Sequence, residues 1–145
     1  MRITKGYTSG CVDDIISLNA KYYAKNFNFG KAFETKIAKD IAEFVASLGS
    51  GKRELFTYIK DSVLVGCIAV DEVHEAGLLR WFVVDERFQN QGIGNELLKE
   101  AIKFCDENFN QTYLYTNKEL EIAIKMYENL ALSTMKALRQ GDMKS

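Results

Sequence analysis

The sequence predicts one α+β domain over residues 1–145, in which helices cover both faces of a mixed, mostly antiparallel sheet. Three observations predict this class. Several segments repeat apolar residues at helical spacing, several short runs are rich in β-forming residues, and the two kinds of segment are interspersed along the chain. The predicted order is β-α-α-β-β-β-α-β-α-β.

The first half of the chain supplies a strand, two helices and a hairpin. "RITKGY" predicts the first strand, and apolar residues at helical spacing predict helices over 12–23 and 33–48, the second stopped by the "GSG" at 49–51. "ELFTYIK" and "VLVGCIAV" are separated by Asp61-Ser62, which is typical of an antiparallel hairpin. Gly66 is a candidate for a β-bulge in the second of these strands.

The second half begins with "AGLLRWFVVD", whose almost unbroken apolar run predicts a central strand. A third helix follows Gly94, and "TYLYT" predicts a short strand. The spacing of Thr116 and Glu119 matches a capping box that opens a fourth helix through Leu130. "LSTMKALRQ" leaves room for one more strand.

Composition excludes several classes of function. The 145 residues are 47% hydrophobic with a formal charge of −1, so neither nucleic-acid nor membrane-surface binding is expected. No apolar run approaches the ~20 residues of a membrane span, and the N-terminus lacks the apolar core of a signal peptide. Three cysteines, odd in number and far apart, predict reduced thiols in the cytoplasm and no metal site.

The segment "QNQGIG", residues 89–94, lies between the central strand and the third helix. The first N–H groups of a helix lack internal partners and have partial positive charge, and glycines let a diphosphate approach them closely. Neither the dinucleotide pattern G-x-G-x-x-G nor the triphosphate loop G-x-x-x-x-G-K-[ST] is present. The residues alone leave two readings open, a pyrophosphate site and a plain tight turn.

The same region resembles the GNAT superfamily of N-acetyltransferases. The family pattern V-x-P-x-(Y/F) followed by (Q/R)-x-x-G-x-(G/A) corresponds to Val84–Phe88 followed by Gln89–Gly94. The order of elements also matches the GNAT fold, with a shortened C-terminal hairpin. In "LNAKYYAKNFNFGKAFETKIAKDIAEF", "LRWFVVD" and "AIKFC", the chain is similar to acetyltransferase domains fused to MarR-type regulators in bacteria.

The resemblance implies that acetyl-coenzyme A (acetyl-CoA) is the co-substrate and lies in a gap between strands four and five. Its pantetheine would pair with the main chain of strand four, at Phe82, Val83 and Val84. Its pyrophosphate would bind the amides of Gln89, Asn90, Gln91, Gly92, Ile93, Gly94 and Asn95. The implied reaction is direct attack of a primary amine on the thioester, without an acyl-enzyme.

The resemblance also suggests catalytic residues. Tyr127, in "MYENLAL", matches the family tyrosine that protonates the leaving thiolate, although it also lies on an apolar helical stripe. Glu34, near the start of the second helix, is a candidate to bind the ammonium or to act as base through a water; alternatively it only stabilises a helix N-terminus. His74 is a weaker candidate base. On the central strand, the side chains of Arg80 and Trp81 are expected to point to opposite faces. A buried arginine needs a partner, such as a substrate carboxylate or Glu34.

Two classes of function remain open at this stage. The first is an N-acetyltransferase acting on a small-molecule or peptide amine, and the alternative is a non-catalytic acyl-CoA-binding module or sensor on the same fold. The short C-terminus also leaves two outcomes, a lost hairpin or a homodimer that completes the sheet edge.

Overall fold

The computed structural model describes residues 3–116 and 135–139. It contains the strands β1 (Ile3–Lys5), β2 (Glu54–Lys60), β3 (Val63–Val73), β4 (Ala76–Val84), β5 (Thr112–Thr116) and β6 (Met135–Arg139). The helices are α1 (Cys11–Phe27), α2 (Lys31–Ala46) and α3 (Ile93–Asn108), with a short 3₁₀ helix at Glu86–Phe88. The predicted fourth helix lies outside the described residues.

The described strands form one sheet in the order β1-β2-β3-β4-β5-β6. β1 to β4 pair antiparallel, whereas β4 with β5 and β5 with β6 pair parallel. The predicted mixed sheet is therefore confirmed, as is the central position of β4. The predicted hairpin is also confirmed, because Asp61 and Ser62 both have positive φ, 50° and 66°, in a two-residue turn between β2 and β3.

Two apolar layers hold the helices to opposite faces of the sheet. α3 packs on one face, in a core that includes Phe56, Leu97 and Leu98. α1 and α2 pack on the other face, with Ile15, Ile41 and other apolar residues buried against it. Alternation along the strands explains the two layers, since neighbouring residues of a strand point to opposite faces.

A bulge in β3 lies beside Gly66, close to the predicted position. Tyr58 pairs with Gly66 and Ile59 pairs with Leu64, so Val65 is the extra residue. Gly66 also permits a close approach of α3, because a Cβ there would lie 3.0 Å from Leu97 Cδ1 and 3.4 Å from Ile93 Cγ2. The first turn of α3 is therefore fixed against β3 by a residue without a side chain.

Candidate active site

β4 is broken in its middle by a second bulge, which the sequence did not predict. Cys67 pairs with Val83 and Ala69 pairs with Arg80, so Trp81 and Phe82 together oppose one residue of β3. Trp81 has a φ of 53°, an uncommon conformation for a bulky residue. Its carbonyl oxygen accepts a hydrogen bond from the buried Cys67 thiol at 3.2 Å. A non-glycine residue is held in this conformation by tertiary contacts.

The bulge overturns the expectation that Arg80 and Trp81 point to opposite faces. The Arg80 guanidinium carbon lies 4.1 Å from the centre of the Trp81 ring, and that ring meets Phe44 of α2 edge-on. Both side chains are therefore on the α1–α2 face. Alternation fails here because the bulge adds one residue to β4 between two positions that pair with β3.

β4 and β5 separate just before this bulge. Their ladder consists of Gly77 with Thr112, Leu78 with Tyr113 and Leu79 with Leu114. β5 continues to Thr116 with β6 as its partner, while β4 continues to Val84 with β3 as its partner. Within the described residues, the β5-side edge of 80–84 has no strand partner, and this leaves a gap between the two strands.

The loop after β4 has a run of backbone donors without internal acceptors. Gly92 caps α3 with a φ of 82°, and Asn90 also has a positive φ of 64°. The amides of residues 90–94 donate to no acceptor in the described part of the chain, whereas Glu96 N–H already bonds to the Gly92 carbonyl at 3.0 Å. Five consecutive donors at a helix N-terminus make a site suited to an anion.

A cavity of about 310 Å³ lies beside these donors. It is lined by residues of the end of β4, the loop and the first turn of α3, namely Val84, Phe88, Gln89, Asn90, Gly92, Ile93, Gly94 and Asn95. A Cβ added at Gly92 would meet no atom within 4 Å, so this backbone is open to an incoming group. The chain's own residues therefore fit a diphosphate.

The loop is anchored at its base by polar contacts. The Asp85 side chain caps the 3₁₀ helix by accepting the Arg87 N–H at 3.0 Å. The hydrogen bond from the Arg87 guanidinium lowers the pKa of the Asp85 carboxyl, against a smaller opposing effect of burial. The side-chain amide of Gln89 donates from Nε2 to the Val84 carbonyl at 3.2 Å. The entry into the loop is thus fixed, while the backbone amides of residues 90–94 have no acceptor among residues 3–116 and 135–139.

The predicted catalytic residues are only partly described. Tyr127 lies outside the described residues. Glu34 is exposed in the first turn of α2, and its side chain makes no hydrogen bond or ion pair within the described chain. His74 is exposed in the turn between β3 and β4, with a φ of 50°. The predicted roles of Glu34 and Tyr127 remain predictions.

Arg80 has partners that differ from the expected Glu34. Its guanidinium donates to Asp71 Oδ2 at 2.9 Å and lies 3.8 Å from Asp40 Oδ2. Asp71 Oδ1 accepts from Arg53 Nε at 2.9 Å, so one carboxylate joins two arginines. The sequence had offered a substrate carboxylate or Glu34 as the partner of Arg80. Glu34 is not among its partners in the described chain, because Asp71 of β3 and Asp40 of α2 reach the guanidinium only in the folded protein. A contact with a substrate carboxylate stays a prediction.

An aromatic cluster lies at the junction of α1 and α2. The Tyr23 ring stacks with Phe29 at a centroid distance of 5.9 Å and lies 4.9 Å from Phe33. Burial raises the pKa of the Tyr23 phenol. Phe27, part of the same cluster, stays 44% exposed. These rings pack mainly on one another.

Sequence reasoning missed one polar contact of the loop. Lys60 Nζ, at the end of β2, donates to Gln91 Oε1 at 2.8 Å. The available signal was the alternation of β2, where Lys60 follows Phe56 and Tyr58 on the face toward α3.

No group of three His, Cys, Asp or Glu side chains in residues 3–116 and 135–139 is arranged to hold a metal ion.

Comparison with known proteins decides the family. The model of the acetyltransferase (GNAT) family matches residues 13–131, which is most of the chain. The chain belongs to the GNAT family. This GNAT protein is an acetyl-CoA-dependent N-acetyltransferase, with acetyl-CoA as its co-substrate. A search of curated protein sequences gave no significant match.

Solved structures show the same fold as this GNAT protein. A GNAT-family acetyltransferase from Staphylococcus aureus Mu50 has a TM-score of 0.71 and 21% identity, over 89% of this chain and 82% of its own. PaiA N-acetyltransferase from Thermoplasma acidophilum, in complex with coenzyme A, has a TM-score of 0.65 and 15% identity, over 89% and 88%. A transcriptional regulator from Bacillus halodurans C-125 has a TM-score of 0.62 and 18% identity, over 95% and 98%.

Proposed function

We propose that this enzyme binds the pyrophosphate of acetyl-CoA on its 89–95 loop and transfers the acetyl group directly to a primary amine. The observation on which the proposal depends is the run of loop amides at 90–94, which have no acceptor in the described chain and border the cavity of about 310 Å³. The gap between β4 and β5 supports a second contact, in which the main chain of Phe82, Val83 and Val84 pairs with pantetheine.

The chain's residues would serve the transfer by binding and by proton movement. Acetyl-CoA supplies the acetyl group as an activated thioester. A C–N bond forms as the C–S bond breaks, so the amine must lose one proton and the leaving thiolate must gain one. In our proposal Glu34 accepts the amine proton through a water, and Tyr127 donates its hydroxyl proton to the thiolate.

Turnover dependent on Tyr127 is the direct test of this mechanism. Thiol release should be followed with a panel of primary amines, for the wild type, Tyr127→Phe and the control Tyr113→Phe, whose hydroxyl instead bonds Gln111 Oε1 at 2.7 Å. We expect Tyr127→Phe to lower kcat by about 10²–10⁴ with unchanged acetyl-CoA affinity, as for loss of a general acid. Tyr113→Phe should leave kcat unchanged.

Two results would contradict parts of the proposal. Full turnover of Tyr127→Phe would remove that tyrosine from the mechanism. Acetyl-CoA binding without thiol release for any amine would instead favour a non-catalytic acyl-CoA-binding module or sensor, which needs the same loop.

The finer relationships are also proposals. We infer a kinship with the acetyltransferase domains fused to MarR-type regulators, supported by the segments quoted above and by the similarity to the Bacillus halodurans transcriptional regulator.

The three cysteines are unpaired and buried, which supports a reducing, cytoplasmic environment. No helix in the described part of the chain is long and apolar enough to cross a membrane.

The C-terminal strand suggests how two copies associate. β6 is the last of the described strands in the sheet order, with β5 as its neighbour. An edge strand presents unpaired N–H and C=O groups, which a second copy of the chain would satisfy. Analytical ultracentrifugation should then report a dimer, and a monomer across the accessible concentrations would contradict this assignment.

A further inference from the structure

We propose that Lys60 is an additional binding residue for the pyrophosphate of acetyl-CoA. Its ammonium lies beside the 89–95 loop with no carboxylate to compensate its charge in the described chain. This inference depends on the proposed function of the loop. It adds a cationic side chain from the β2–β3 hairpin to a site otherwise built from main-chain donors.

The fold directs Lys60 toward α3. Phe56 and Tyr58 contribute to the core under α3, and Lys60 follows them at the same alternation of β2. The two-residue turn then starts at Asp61, and the neighbouring bulge in β3 increases the twist of the hairpin end. Lys60 is half-buried there, so its side chain is partly ordered before any ligand arrives.

Two contacts hold the Lys60 ammonium next to the loop. Nζ donates to Gln91 Oε1 at 2.8 Å and lies 5.5 Å from the centre of the Phe88 ring. Gln91 is the residue before the αL glycine of the loop, and Phe88 lines the cavity. An ammonium has three donors. One bond to a neutral amide leaves the others, and the whole positive charge, available for an anion.

Neighbouring cations differ from Lys60 in this respect. Arg87 lies 5.7 Å from the same Phe88 ring, but its guanidinium bonds both oxygens of Asp85, at 3.2 and 2.8 Å. Lys25 forms an ion pair with Glu86. Around the loop, Arg87 and Lys25 are thus paired with carboxylates, whereas Lys60 has no such pair among the residues that the structure describes.

The uncompensated charge of Lys60 determines how much its loss should weaken binding of a diphosphate. A hydrogen bond from a cation to an anion stabilises a complex more than a neutral one does, and loss of such a contact commonly weakens binding about tenfold. The contact between Lys60 and Gln91 is exposed, so salt should screen the charge of the ammonium. Because a diphosphate is present in both coenzyme A and 3′-dephospho-coenzyme A, loss of the Lys60 charge should weaken both equally.

Calorimetric titration with these two probes tests the proposal. We expect Lys60→Gln, which removes the charge but retains hydrogen-bonding groups, to raise both dissociation constants about tenfold. Lys60→Arg, which keeps the positive charge, should stay within about twofold of the wild type, and the matched control Lys25→Gln, whose ammonium pairs with Glu86, should be unchanged. The Lys60→Gln effect should shrink at about 1 M salt. Circular dichroism and a thermal melt check the fold of each variant.

Two outcomes would overturn the inference. Unchanged affinity of Lys60→Gln for both probes would show that the ammonium makes no contact with the ligand. Weakened binding of coenzyme A alone would place Lys60 at the 3′-phosphate and not at the pyrophosphate. A Gly92→Glu variant separates these from failure of the loop itself, because unimpaired binding by that variant would refute the proposed function first.

Discussion

Asp71→Asn should destabilise the protein strongly, because this carboxylate joins Arg53 and Arg80. Both oxygens accept from a guanidinium at 2.9 Å, and Oδ1 also accepts the Glu72 N–H at 2.8 Å. The Asp71 side chain is 12% exposed and each arginine 24%. Asparagine has one acceptor oxygen and turns an NH₂ group toward one of the two cations.

The magnitude follows from these contacts. At least one charge-assisted hydrogen bond is lost, at about 1.5–3 kcal/mol, and both partly buried guanidiniums lose the negative charge of Asp71. We expect a loss of about 3 kcal/mol in the free energy of unfolding, which lowers Tm by about 6–12 °C at this chain length. Asp40→Asn is the matched control, since Asp40 lies 3.8 Å from Arg80 and pairs with the exposed Lys36. It should cost less than about 1 kcal/mol.

Urea denaturation of the two variants, combined with an Arg80→Met double-mutant cycle, measures these differences. The double variant of Asp71 and Arg80 should lose less stability than the sum of the losses of the two single variants, because the two side chains interact. A loss at Asp71→Asn no larger than at Asp40→Asn would refute the reasoning, because it would mean that water replaces the carboxylate without cost.

Further predictions concern α3 packing and the buried thiols. Gly66→Val should lower the free energy of unfolding by about 1–3 kcal/mol and weaken coenzyme A binding, because even a Cβ there would lie 3.0 Å from Leu97 Cδ1 of α3. Chemical denaturation measures the first effect and calorimetry the second. Unchanged stability and affinity would contradict the prediction. Burial raises the pKa of Cys67 and of Cys105 to about 12. Above pH 9 these thiols ionise in the unfolded state before the folded one, so stability should fall by up to about 1.4 kcal/mol per pH unit per thiol until about pH 12. Denaturation of the wild type and of Cys67→Ala at pH 8 and 10 measures how steeply the free energy of unfolding falls with pH. If the substitution leaves this pH dependence unchanged, the prediction for Cys67 is contradicted.

The sequence predicted much of the fold because its local patterns agree with the tertiary structure. The apolar stripes of α1, α2 and α3, the turn at Asp61-Ser62 and the central β4 all follow from periodicity and turn chemistry. The glycine loop was predictable for the same reason, since a strand end and a helix start enclose it.

The remaining features depend on contacts between distant segments. The bulge at Trp81 gives a bulky residue a φ of 53°, and its sequence neighbours contain no glycine or turn residue that would indicate it. The partners of Arg80 come from α2 and β3, so no spacing predicts them. Lys60 reaches Gln91 across the end of the sheet, although its place in the alternation of β2 gave a weak indication.

The central claim, that the 89–95 loop binds the pyrophosphate of acetyl-CoA, is tested most directly at Gly92. Calorimetric titration with acetyl-CoA should compare the wild type, Gly92→Glu and Gly92→Asn. Asparagine tolerates the φ of 82° and so controls for backbone strain. We predict that glutamate, which would place a negative charge beside the diphosphate, abolishes binding in a folded protein, while asparagine retains it. Equal affinity of Gly92→Glu and wild type would contradict the claim and leave the loop as a tight turn only.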